Sequence, residues 1–128
     1  MSVGLVPFYD LELPQNATYQ GDGKGLAEEL DFFDRIAVDS GFTPLSAFTS
    51  DALLEAESGD PQTDPNYPHY AIEDVLRTVQ VLAEAIRGKP HLASALTEAR
   101  YTLEELDELA RSLTVAAAQG ARVCLMFW

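Results

Sequence analysis

Arg122-Val-Cys-Leu-Met-Phe-Trp128 sets six consecutive apolar residues behind a single base. The run is short for a buried helix, and Val, Phe and Trp favour extended backbone. A strand this apolar belongs inside a sheet or an interface, so its partner decides the architecture. Residues 2–13, Ser-Val-Gly-Leu-Val-Pro-Phe-Tyr-Asp-Leu-Glu-Leu, supply the other extended segment. From Phe8 onward apolar and polar residues partly alternate there, with Asp10 and Glu12 between Tyr9, Leu11 and Leu13. Pro7 removes a backbone donor, which argues against a central place in a sheet. The two segments are predicted to pair, residues 3–13 against 122–128.

Helices fill the interval. Pro14 to Gly25, with three glycines in its second half, reads as loop. Leu26, Leu30, Phe33 and Ala37 recur at helical spacing, widened by Phe32 and Ile36, and predict a helix over 24–40 that Gly41 stops in the left-handed conformation. Phe42 to Ser50 reads as an irregular or edge segment that pins Phe42, Leu45 and Phe48 into the core. Asp51 to Glu57 could form one short helix capped by Ser50, and Ser58 to Pro68 is an exposed loop rich in proline. Ile72, Val75, Leu76, Val79, Leu82, Ala83 and Ile86 predict a second helix over 71–87, with Glu73 and Asp74 in its first turn and Arg87 in its last. Pro90 to Arg100 is weakly helical around Leu92 and Leu96. Thr102-Leu-Glu-Glu105 has the pattern of a capping box opening a third long helix, its buried face Leu103, Leu106, Ala110, Leu113 and Ala117, ended by Gly120. The expected class is α+β: three main helices packed on a small sheet that includes the N- and C-terminal strands, in a single domain over 1–128.

Charge is the most informative bulk property. The 128 residues carry 8 bases against 21 acids, a net of −13. Such a surface repels phosphate, so nucleic acid and anionic membranes are disfavoured as partners and a basic protein is favoured. The charge is also uneven. Residues 1–70 hold 13 acids against Lys24 and Arg35, a net of −11, whereas 71–128 come to −2. No base lies between Arg35 and Arg77, the interval that contains Asp51, Glu55, Glu57, Asp60 and Asp64. Solubility alone is the plainer explanation of acidity; a sign asymmetry between halves also suggests a binding face. No apolar run approaches the ~18 residues of a membrane helix, and the polar start does not read as a secretion signal.

Motifs for chemistry are weak. Gln20-Gly-Asp-Gly-Lys-Gly25 fails as a calcium loop, because Thr18 and Gln20 fall where the first acidic ligands belong, and it lacks the spacing of a phosphate loop. His69 and His91 are the only histidines; His69 with Glu73 at i and i+4 is the nearest approach to a metal pair, and a proline-flanked surface histidine is the commoner case. The lone Cys124 can form no internal disulfide and sits in the apolar strand, where a thiol is ordinarily inert. No catalytic residue, metal ligand or cofactor is assigned. Tyr67 and Tyr70, at the foot of the acidic loop, are either core anchors or a hot spot for a basic partner.

Gly41-Phe-Thr-Pro-Leu-Ser-Ala-Phe48, followed by an acidic loop, an aromatic pair before a helix and a closing Gly-Ala-Arg-Val strand, resembles a family of small acidic bacterial proteins of uncharacterised function. Some of these are immunity-like, neutralising toxins. The resemblance implies a bacterial cytoplasmic setting and no particular activity, cofactor or catalytic residue. The resulting expectation is a non-enzymatic domain that binds a basic protein. Asp51, Glu55, Glu57, Asp60 and Asp64 would steer that partner, and Tyr67 and Tyr70 would anchor it. The alternatives are a small carboxylate- or metal-dependent enzyme, and a structural domain that self-associates through 124–128.

Overall fold

Residues 4–49, 69–96 and 98–127 are described by the computed structural model. β3 (Arg122–Phe127) lies in the middle of a three-stranded antiparallel sheet, between β1 (Leu5–Tyr9) and the two-residue β2 (Tyr70–Ala71). The expected terminal pairing is present, in a register that sets Leu5 opposite Phe127, Pro7 opposite Leu125 and Tyr9 opposite Val123. β1 is an edge strand, the position that tolerates a proline. Beyond β2, Thr49 makes a single parallel bridge to Leu125.

Directly opposed residues share a face of a sheet. Leu5, Tyr9, Tyr70, Val123, Leu125 and Phe127 accordingly all join the main hydrophobic cluster. Cys124 and Met126, on the other pleat, are fully buried too but stand outside that cluster. Burial of both faces explains why residues 123–126 are uniformly apolar instead of alternating.

The helices cover the cluster face. α1 (Lys24–Glu28) and α2 (Leu30–Asp39) occupy the span predicted as one helix. The break falls at Glu29, whose φ of −101° and ψ of 14° leave the helical region. α1 lies against α5 (Ala99–Ala118), whereas α2 packs on α3 (Ile72–Gly88), and one straight axis cannot serve both. Gly25 permits the first contact: a Cβ there would stand 3.1 Å from Thr102 Oγ1 of α5. α2 ends as predicted. Gly41 has φ +80°, its amide bonds Val38, and the Phe42 amide bonds Ala37, which is the Schellman arrangement. Gly120, with φ +78°, ends α5 in the same way through Ala121 and Ala116.

α3 matches its predicted face, with Ile72, Val75, Val79, Leu82, Ala83 and Ile86 buried. It runs one residue past the predicted end, through Gly88, and is stopped by the extended Lys89 that Pro90 enforces. The short α4 (Pro90–Ser94) follows. The 42–49 segment is irregular as expected: a 3-10 turn over Leu45–Phe48 buries both terminal residues. Asp34 accepts the Ser46 amide at 3.1 Å, and Thr78 Oγ1 donates to the Thr43 carbonyl at 2.8 Å, so α2 and α3 each hold the segment once. The expected helix over 51–57 and the loop over 58–68 lie outside the described residues. Among the described residues no helix is long and apolar enough to cross a membrane.

Leu125 is completely buried, paired with Pro7 of β1 on one side and bridged to Thr49 on the other. Leu125→Ala should cost about 2–5 kcal/mol of stability. A loss below about 1 kcal/mol in chemical denaturation would show that β3 is not the centre of the core.

Candidate functional site

α5 begins four residues earlier than the capping-box pattern implies. Glu98 is its N-cap, Thr102 lies inside it, and the Thr102 amide bonds the Glu98 carbonyl. The buried stripe is Leu106, Leu109, Leu113 and Ala116, about one residue round from the predicted face, so Leu103, Ala110 and Ala117 are only half-buried. Thr102, Glu105 and Ser112 are polar residues within that stripe, and each faces the loop and helix that precede α2.

Ser112 is a staple. Its hydroxyl donates to the Ala17 carbonyl at 2.5 Å and pairs with the Tyr9 hydroxyl at 2.6 Å. Burial pushes the Tyr9 phenol up to about 12. Arg111, the residue before it, donates to Glu108 at 2.6 and 2.7 Å and to the Thr18 carbonyl at 2.7 Å, while Glu108, one turn earlier, accepts the Gln20 amide at 2.6 Å. The Arg111 hydrogen bond holds the Glu108 carboxyl below its usual range. These contacts fix residues 16–20 along α5.

Glu105 does what its supposed capping role would have done, but for a different helix. Its carboxylate accepts the Leu26 amide at 3.1 Å and the Gly25 amide at 3.4 Å, so it satisfies the free end of α1. It is 4% exposed and makes no ion pair among the described residues, and burial raises its pKa. Beside it Tyr101 donates its hydroxyl to Asp22, which also accepts the Lys24 amide at 3.1 Å. The Tyr101 bond lowers the Asp22 pKa, and the same bond raises that of Tyr101. The Tyr19 hydroxyl is buried without a hydrogen-bond partner; burial, then the charges of Glu105, Glu108 and Asp22, raise its pKa.

In front of this group a hollow of about 450 Å³ opens between the starts of α1 and α5. Glu28, Glu29 and Glu98 line it with Lys24, Tyr101 and Thr102. Tyr101 is one of three large hydrophobic residues exposed among those described.

The residues named from sequence lie elsewhere. Asp51, Glu55, Glu57, Asp60, Asp64 and Tyr67 fall outside the described residues. Tyr70 is half-buried in β2, its ring edge-on to Phe48 at 5.5 Å. His69 is half-buried and its Nε2 has no hydrogen-bond partner, while Glu73 is exposed on α3 and His91 on α4. Glu105 and Ser112 were detectable: both interrupt an apolar stripe at helical spacing. Asp22 and Tyr101 carry no such signal, since their meeting depends on how α1 docks. No family model, curated protein or solved structure matches this chain.

Because the folded pKa of Glu105 is raised, its protonated form favours folding. Its contribution is fully present below the ordinary glutamate range and is lost as pH rises through the folded value. Glu105→Gln keeps an acceptor for the two amides and should flatten that part of the stability–pH curve. Glu105→Leu should cost about 1–3 kcal/mol, because the amides lose their acceptor. Parallel curves for wild type and Glu105→Gln would refute the assignment.

Proposed function

We propose that this chain is a non-catalytic domain that binds a basic protein, in the manner of an immunity protein covering a cationic surface. The observation that carries the reading is uncompensated acid. Every ion pair among the described residues neutralises a carboxylate of α5: Arg87 with Asp107, Arg100 with Glu104, and Arg111 with Glu108. None uses an acid from residues 4–49, where Glu28, Asp31 and Asp39 are exposed. Glu73 and Asp74, exposed in the first turn of α3, take part in no ion pair among the described residues either. Acid that served only solubility would gain from interspersed bases. Acid left free raises the association rate of a cationic partner and makes it dependent on salt. The loop carboxylates Asp51, Glu55, Glu57, Asp60 and Asp64 would extend this field, with Tyr67 and Tyr70 as anchors. A bacterial, cytoplasmic setting belongs to the same reading.

Capture from a lysate of the native organism tests it. A partner of high isoelectric point should be retained at low salt and released at high salt. Retention of only acidic or neutral proteins, or retention indifferent to salt, would overturn the proposal. With the partner in hand, Asp60→Asn with Asp64→Asn should slow association severalfold and flatten its salt dependence. Stability should change by less than about 0.5 kcal/mol. Unchanged association kinetics would remove the loop from the binding face.

A further inference from the structure

We infer that the groove beside residues 9–13 receives an extended, lysine- or arginine-bearing segment of the protein partner. This deepens the reading above and rests on it, because it supplies a place of contact. In β1 the even-numbered residues face β3, and the Asp10 amide just beyond donates to the Arg122 carbonyl at 3.1 Å. The odd-numbered residues face outward, as the Leu5 amide does in donating to the Gly23 carbonyl at 2.9 Å. That outer edge is therefore closed at Leu5 and has no donor at Pro7. From Tyr9 onward it is open. Among the described residues no hydrogen bond engages the backbone of Leu11, Glu12 or Leu13.

A groove of about 420 Å³ runs beside this open stretch. Pro7, Tyr9, Leu11 and Leu13 line it, Tyr19 faces them from beyond the 3-10 turn, and Glu12 is its one charged lining residue. Leu11 is 43% exposed, one of three large hydrophobic residues so exposed among those described. Both tyrosines are held in place before any partner arrives. The Tyr9 hydroxyl pairs with Ser112 at 2.6 Å, and Tyr19 lies over Gly21, where a Cβ would come within 2.7 Å of its hydroxyl. A groove already ordered spares the complex that ordering cost.

Charge selects the occupant. Glu12 is exposed and joins no ion pair among the described residues, and Arg111, which bonds the Thr18 carbonyl, is committed to Glu108. A second copy of a chain with net charge −13 is repelled here, whereas a basic segment is drawn in. An extended segment alternates its side chains, so apolar ones can enter the groove while bases stay at the rim near Glu12. Its backbone meets the open edge beyond Pro7. The groove lies at the edge of the sheet opposite β2, so it is a separate contact from Tyr70.

An acetylated, amidated peptide of alternating lysine and valine tests this, added to the full chain while ¹H–¹⁵N spectra are recorded. Saturable shifts centred on Tyr9, Leu11, Glu12, Leu13 and Tyr19 are expected. A peptide of the same composition with its lysines and valines in separate blocks should bind far more weakly. Methylating the backbone nitrogens of one alternate set of residues should abolish binding, and methylating the other set should not. Glu12→Gln should weaken binding about threefold and Leu11→Ser about fivefold, both at exposed positions that leave the thermal midpoint unchanged.

No saturable shift would overturn the assignment, as would shifts centred on Glu28 or Glu73, or equal binding of the block peptide. Equal effects of the two methylation patterns, or the same spectral shifts on raising the protein concentration without peptide, would overturn it too. If lysate capture succeeds and the peptide does not titrate, the groove falls alone. If capture fails while the peptide titrates as described, the groove stands and the wider protein-binding reading falls.

Discussion

The antiparallel pairing of β1 with β3 is the constraint on which the rest of the molecule depends. β3 is buried on both pleats, so its backbone groups have no access to water and must be met by neighbouring strands. β1 supplies one edge, while β2 and Thr49 share the other. Once this ladder is in place, Val123, Leu125 and Leu5 present a continuous apolar face, and α2, α3 and α5 have a surface to cover. The helices are amphipathic and would not stand alone; burial against the sheet and each other stabilises them.

α5 is the second organising element, because it packs on α3, on α1, on β1 and on the turn at 15–17. Its apolar stripe packs on α3, and its polar interruptions seize the loop before α1. Glu105 and Ser112 are costly residues to bury, and each cost is offset by satisfying backbone groups that would otherwise be orphaned. The loop over 14–23 is thereby tied down, with Ala17 and Tyr19 as its own apolar anchors. The same geometry leaves a charged hollow beside the buried carboxyl.

Much of this was legible in the residues. The strand at 122–127, the edge role forced by Pro7, the stripe of α3 and the stops at Gly41 and Gly120 all follow from local chemistry. What escaped local reading was non-local in cause. Glu29 breaks a helix whose spacing is unbroken, because its two halves must lie on different partners. Thr102 and Glu105 have capping-box spacing, yet Glu105 caps α1, some 79 residues away in sequence. Spacing records which residues share a face of one helix. It does not record which other helix that face will meet, so Asp22, Tyr101 and Thr102 came together unannounced.

The β1–β3 ladder also has a consequence for synthesis. Asp10 and Arg122 are joined by a hydrogen bond across 112 residues. At ribosomal rates β1 is made on the order of ten seconds before β3 exists to pair with it. Throughout that interval Leu5, Val6, Phe8 and Tyr9 form an unpartnered apolar strand, the kind of segment that recruits other nascent chains. Pro7 within it, and Asp10 and Glu12 just after it, are the residues that most impede such recruitment. On this view Pro7 matters most before the fold exists. It keeps an early strand solitary until its late partner arrives.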